Sequence, residues 1–422
     1  MATVVSCRRG DSTHRRVGEA RPCRREPAGG DSEPGGSVSR ARGRIVTGPS
    51  PGCRWCGSSE LTVLLDLGRR SSAAELPLPM DPGPDRTAQL SLLVCRSCAL
   101  VQLGHGMVDA EGPMGAEPRT MRRQAVAALS DLERAGFVRP GLEVAEYSSP
   151  HSGDWSGPLR EHGLRVAGDG PADIVLDVFG LMHEPDQREA FGERIARLRE
   201  GGIIVIQAHA LEGDIARSAW HVVRHGHYAY YTATVLVAMF SRFGFAPIDV
   251  FEYDLQGGTL VLVFGRHGTP SQRVRAVLDR ERLAGLDRPA GLAEQAAELR
   301  TAAAASSLAL RSYLDDCRLH GLTVGAYPAS TGSVALLELA DVGREDVAAV
   351  GDVSADKQGR ALPGSRIPIV SPDELMDRAP DRVLLFVPEL LDELRERYPH
   401  FERDGGRWVL ADPYPTEIVC NE

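Results

Sequence analysis

The sequence reads "CRWC" at residues 53–56 and "CRSC" at residues 95–98. Two Cys-x-x-Cys knuckles about forty residues apart offer four thiolates in the paired spacing that suits one tetrahedral zinc ion. No other feature constrains the chain so strongly, because two distant segments must meet and a compact unit must form around them. Cys53, Cys56, Cys95 and Cys98 are the expected ligands, and "LTVLLDL" and "LSLLVC" are the expected strands of the short hairpins that present them. Four protein ligands leave the ion no open position, so a structural role is expected. The plainer reading, four unrelated buried thiols, does not account for the pairing. Cys7, Cys23, Cys317 and Cys420 show no such spacing, and eight cysteines in 422 residues do not make a disulfide scaffold.

The length favours two or three domains over one. A hydrophobic fraction of 42% and a charged fraction of 25% are those of an ordinary globular protein. A formal charge of -10 argues against a nucleic-acid partner. No run of about 18 apolar residues is present to span a membrane, and no apolar core of a secretory signal stands at the N-terminus. A cytoplasmic location is expected. Residues 1–48 are rich in Arg, Gly, Ser and Pro and lack apolar periodicity, so they are expected to be disordered. Lys357 is the only lysine in the chain. Arginine fills every comparable position, so a point-charge contact to a phosphate or to a backbone turn is expected here, weighed against chance survival.

The fold class is α/β in three parts. A small zinc-binding unit is placed at residues 49–115. From 116 to 270, "GLEVAEYSS", "ADIVLDV", "IIVIQAH" and "GGTLVLVFGR" read as near-continuous apolar strands alternating with helices, the pattern of a mostly parallel, doubly wound sheet. Ligands of such sheets sit beyond the strand carboxyl ends, which is where His151, His183, His209 and the stretch "RHGHYAYYT" (224–232) should gather. Residues 271–320 read as a helical spacer, and 321–422 as a second, Rossmann-like α/β unit. In "RHGHYAYYT", an extended backbone would point His225 and His227 to one face, and a metal site with His209 or His183 is the minority reading.

This layout resembles the C-methyltransferases of deoxysugar and antibiotic pathways. The resemblance covers roughly residues 51–420 and is carried by the two cysteine pairs, "ADIVLDVFGLMHEPD", "RHGHYAYYT", "QGGTLVLVFG" and "DKQGRALPGSRIPIVSPDEL". It implies a zinc domain, a central class I methyltransferase-like sheet for S-adenosylmethionine (SAM) and a C-terminal Rossmann-like domain. It also implies a small-molecule substrate, a nucleotide-linked keto sugar. A base removes the proton beside the ketone, and the enolate takes the methyl group from the donor. Such a proton is too weakly acidic to leave without a base of pKa near 7 and a donor for the developing oxyanion.

The resemblance makes His227 the catalytic base, with His225 and Tyr230 beside it. It places the cofactor among Glu146, Ser148, Gly153, Asp169 and Phe179, and the substrate among His183, Lys357, Ser330 and Gly332. Three departures are visible. Gly226 stands where the family has a glutamate, Ser148 stands where the first glycine of the cofactor turn belongs, and a helix and strand are missing between "LRVAG" and "ADIVLDV". The missing strand belongs at the sheet edge, so the sheet should form with a weakened cofactor site. The alternative function is a protein of this fold that no longer uses SAM and catalyses a proton transfer such as epimerisation or elimination, or only binds a partner.

Overall fold

The computed structural model describes residues 52–81, 83–104, 119–150, 153–255 and 257–418. The expectations for residues 1–48, His151, Cys7, Cys23 and Cys420 lie outside them. The N-terminal unit is a hairpin of β1 (Leu61–Ser71) and β2 (Thr87–Cys95), extended by β3 (Val101–Leu103). The hairpin strands expected to present the cysteines are therefore in place.

After α1 (Arg119–Arg134), the central sheet is built from β4 (Glu143–Ser148), α2 (Ser156–Glu161), β5 (Arg165–Val166), β6 (Ala172–Val178), α3 (Gln187–Ala196) and β7 (Leu198–His209). The chain continues through α4 (Leu211–Ala216), β8 (Ala229–Tyr230), α5 (Ala233–Ser241), β9 (Ala246–Tyr253) and β10 (Thr259–Gly265). The strand order is β5-β4-β6-β7-β10-β9, parallel from β5 to β7, with β10 antiparallel to both its neighbours. Every residue of β10 is buried, which explains its unbroken apolar run, since both faces are covered. Only residues 167–171 link β5 to β6. β5, two residues long, is left as the sheet edge, as the missing segment implied.

β8 belongs to neither neighbour in sequence. It pairs antiparallel with β3, so Ala229 and Tyr230 of the stretch "RHGHYAYYT" form the fourth strand of the zinc unit's sheet. Right after it, Thr232 caps α5 by accepting from Val235 N at 3.1 Å.

The chain then runs through α6 (Gln272–Leu283) and α7 (Pro289–Leu319). α7 is more than a spacer. It buries Ala303, Ser306, Leu310 and Leu314 and packs on β1, α4 and the C-terminal unit, and Arg300 donates to the Leu64 carbonyl at 2.6 Å. Spacings of three and four residues along one stripe are what such a shared face requires.

The C-terminal unit contains β11 (Val324–Tyr327), α8 (Thr331–Leu339), β12 (Val350–Gly351), β13 (Ile369–Val370), α9 (Pro372–Asp377) and β14 (Arg382–Leu385). It ends with α10 (Leu391–Arg397), β15 (Arg407–Leu410) and β16 (Thr416–Glu417). Its sheet order is β13-β12-β11-β14-β15-β16, parallel except for β16. None of the described helices is long and apolar enough to cross a membrane.

Candidate functional site

The four expected zinc ligands converge. Their sulfurs all lie within 4.8 Å of one another, with Cys53 Sγ to Cys98 Sγ at 3.5 Å and Cys56 Sγ to Cys95 Sγ at 3.6 Å. A tetrahedral ion with Zn–S bonds of about 2.3 Å sets its sulfurs about 3.8 Å apart, so the cage fits zinc. The thiols perturb one another: the hydrogen bond with Cys98 draws Cys53 down to about 5, and the same bond pushes Cys98 up. Among the described residues, no other group of three or more His, Cys, Asp or Glu side chains is arranged to hold a metal. The minority reading of a histidine metal site is therefore not assembled.

The reason lies at Gly226. Its φ of +83° turns the chain left-handed between the two histidines, so the stretch is not extended there and the side chains part. His225 Nε2 donates to the Arg70 carbonyl at 3.0 Å, inside the contact with the zinc unit. His227 faces the opposite way, into a cavity of about 440 Å³ between the carboxyl ends of β6 and β7 and the N-terminus of α8. Its ring lies 4.7 Å from that of His183 and 6.5 Å from that of His209.

His227 is not an open base in this conformation. Arg224 Nε donates to His227 Nε2 at 2.7 Å. A guanidinium only donates, so the ring accepts there and carries its proton on Nδ1. Arg224 also bonds to Thr331 Oγ1 and so ties the stretch to α8. Tyr230 lines the same cavity, donates to the Val222 carbonyl at 3.3 Å and accepts from Arg224 N at 3.2 Å. It holds the backbone that aims Arg224.

The expected cofactor residues separate into two groups. Glu146, at the carboxyl end of β4, accepts from the buried Trp155 N and from Ser148 Oγ at 3.1 Å. Burial raises the Glu146 carboxyl above the usual range, against those bonds. Ser148 thus fastens Glu146 to the turn, where a glycine would leave the backbone open. Gly153 has φ +93°, a conformation L side chains rarely adopt. Phe179, with φ +58°, stacks 4.4 Å from His209 on the cavity wall, and burial lowers His209 to about 4, with the Arg224 charge adding to it. Asp169 is exposed beside the shortened edge. Glu146 and Ser148 are thus engaged with each other and with Trp155, and Asp169 stands apart from them at the shortened edge.

Of the expected substrate residues, Ser330 and Gly332 line the cavity at the start of α8, and Ser330 caps that helix. His183 stands behind the cavity. Its Nδ1 donates to the Gly226 carbonyl at 3.0 Å, which makes its Nε2 the acceptor for Ser149 Oγ at 3.2 Å. Lys357 bonds to Asp352 Oδ2 and to the Ala329 carbonyl, each at 3.0 Å. The sole lysine thus takes the backbone-turn contact, fixing the residue just before the α8 cap.

Three cavity residues have no counterpart in the sequence reading: Asp214 on α4, and His221 with its partner Asp412 (Nδ1 to Oδ2, 2.9 Å). A charged residue inside "LEGDIA" carries no spacing signal, and only burial reveals it.

Two family profiles match the chain. Residues 53–111 match the family described as "Putative zinc binding domain", and residues 254–413 match the C-methyltransferase C-terminal domain. The C-methyltransferase NovU of Streptomyces niveus is 27% identical over 88% of this chain and 98% of its own length. Among solved structures, the 1,6-didemethyltoxoflavin-N1-methyltransferase of Burkholderia thailandensis is 18% identical over 34% of this chain and 77% of that one, with a TM-score of 0.24. The magnesium protoporphyrin IX methyltransferase of Synechocystis is 10% identical over 36% and 90%, with a TM-score of 0.28. The chain thus matches a zinc-binding domain and a C-methyltransferase C-terminal domain, and over most of its length it is similar to a C-methyltransferase.

Proposed function

We propose that the protein methylates a carbon next to the ketone of a nucleotide-linked keto sugar, with SAM as methyl donor. The observation that carries this reading is the cavity itself. One wall is the carboxyl end of the central sheet with His227 and Tyr230, and the other is the capped N-terminus of α8. Backbone N–H groups at a helix start suit a diphosphate, and the polar wall opposite suits the sugar. SAM, when bound, supplies an electrophilic methyl carbon. The protein's own residues do the rest. α8 and Arg224 hold the anionic end, and His227 and Tyr230 line the wall beside which the enolate charge gathers.

The test is exchange of the proton beside the ketone with deuterated solvent, using a nucleoside-diphosphate-linked 4-keto-6-deoxyhexose. His227→Ala should slow exchange about 100-fold. His225→Ala should leave it within a few-fold, because His225 bonds to Arg70 away from the cavity. Equal rates for wild type and His227→Ala would remove the ring from the chemistry. A second reading is favoured by one specific observation, the commitment of Glu146 to Trp155 and Ser148: the protein performs the proton transfer alone. Running the assay with and without SAM separates the two, since exchange without any methylated product supports the second.

A further inference from the structure

Asp214 lines the cavity with 3% of its surface exposed, and its Oδ1 has no hydrogen-bond partner among the described residues. Buried carboxylates are normally paired, because leaving one bare is costly. The cationic groups around it are engaged elsewhere. His221 Nδ1 lies 2.9 Å from Asp412 Oδ2, and Arg217 is bonded to Asp254 at 3.3 Å and to the Gly257 carbonyl. Nor does the side chain cap its own helix, whose start is Ala210. Of the cavity's carboxyl groups, Asp177 is bound to Arg194, Asp412 lies beside His221 and Glu389 is exposed, whereas the buried Asp214 is held by neither an ion pair nor a capping bond.

We propose that Asp214 is the group that takes the proton from the carbon beside the ketone. The inference rests on the keto-sugar reading and supplies the base which that reading lacks while Arg224 occupies His227 Nε2. The carboxylate forms an O–H bond as the C–H bond breaks, and the C–H electron pair becomes the enolate double bond. The charge moves to the ketone oxygen. SAM, when bound, would supply the electrophilic methyl carbon that this enolate carbon takes up. Asp214 afterwards releases its proton to solvent. Burial pushes this carboxyl up to about 7, with the charges of His221 and Arg217 opposing that rise, and a base is most effective when its pKa lies near the working pH. The acid absent at Gly226 is thus replaced from a different element on the same cavity.

The test uses the full-length protein and the same nucleoside-diphosphate-linked 4-keto-6-deoxyhexose in deuterated buffer. Asp214→Asn should keep the fold, checked by circular dichroism and thermal melting, and slow exchange at least about 100-fold. Asp214→Ala should be equally slow and should recover as formate is added, because a small carboxylate can enter the vacated space. Rescue by formate is not expected of a purely structural residue. Asp214→Asn exchanging at the wild-type rate overturns the role while sparing the keto-sugar reading. A slow Asp214→Ala that formate does not rescue also overturns it. Absence of exchange in the wild type overturns the keto-sugar reading and this role with it.

Discussion

Replacing Arg194 by Met tests how the cavity is held in shape. Arg194 is 2% exposed and Asp177 is fully buried, with Arg194 Nε to Asp177 Oδ2 at 3.0 Å. Arg194 Nη2 reaches Glu184 Oε1 at 3.2 Å, and the guanidinium lies 4.3 Å over the Tyr147 ring. The other oxygen of Asp177 accepts from Leu181 N at 3.0 Å, which anchors the turn carrying Phe179 and His183. Burial pushes the Asp177 carboxyl up, and Arg194 opposes that rise. Methionine keeps the apolar stem but leaves a buried carboxylate without its cation, a loss of about 3–5 kcal/mol. Asp177 can escape by taking a proton. From an unfolded pKa of about 3.9, that costs about 4 kcal/mol at pH 7 and caps the penalty. In the variant, the folded pKa lies further above the unfolded one, so the native state keeps a proton that the unfolded chain releases. Stability relative to wild type therefore falls as pH rises above about 4, and the deficit should shrink by up to about 1.4 kcal/mol for each pH unit of acidification from 7 toward 5. Urea unfolding followed by tryptophan fluorescence at both pH values reads this directly. The double variant Arg194→Met, Asp177→Asn should recover most of the loss at pH 7. A deficit of Arg194→Met below about 1 kcal/mol, unchanged between the two pH values, would refute the reasoning.

Elemental analysis of protein purified without added metal should find about one zinc per chain. Cys95→Ser should lose the metal and lower the melting temperature, and a metal-free wild type of unchanged stability would count against the cage. Glu281→Ala removes the acceptor of Ala233 N (2.7 Å), Thr234 N (2.8 Å) and Thr234 Oγ1 (2.7 Å) at the start of α5. It should cost about 2–3 kcal/mol of stability, and a change under about 0.5 kcal/mol would show that Thr232 caps alone. Calorimetric titration with SAM should show weak binding, because Ser148 closes the turn and the edge strand is missing; a micromolar or tighter isotherm would mean that the remaining walls suffice. Gly226→Glu should destabilise by about 1–2 kcal/mol, since an L side chain must take φ +83°. It should not raise exchange, and a tenfold gain at full stability would show that the turn tolerates its lost acid.

What could be read from the sequence depended on whether the signal was local. The thiolate cage followed from spacing, and β10 from an apolar run that both covered faces require. By contrast, β8 is two residues long and exists because Val101 pairs with Tyr230. No pattern within "RHGHYAYYT" encodes a partner so far away in sequence. α7 looked like a spacer because its alanines carry little hydrophobic contrast, although small residues are what let three units pack closely along it. Lys357 stood out as the only lysine, but its choice between phosphate and backbone turn depended on where Ala329 lay.

The histidine stretch shows how one backbone choice redistributes a site. Were residue 226 an ordinary extended residue, His225 and His227 would share a face. Its left-handed turn instead sends His225 to Arg70 and His227 to the cavity, and it presents the Gly226 carbonyl to His183 Nδ1. The same turn lets Arg224 reach both His227 and Thr331, so the bridge between the central unit and α8 runs through the ring that motif matching singles out as the base. A ring recruited as a bridge acceptor has no lone pair at that nitrogen for proton removal. If the cavity is to remove a proton, the acceptor must be a group without such a commitment. Asp214, bare on Oδ1 and tuned by burial to about 7, meets that condition from a helix outside the motif.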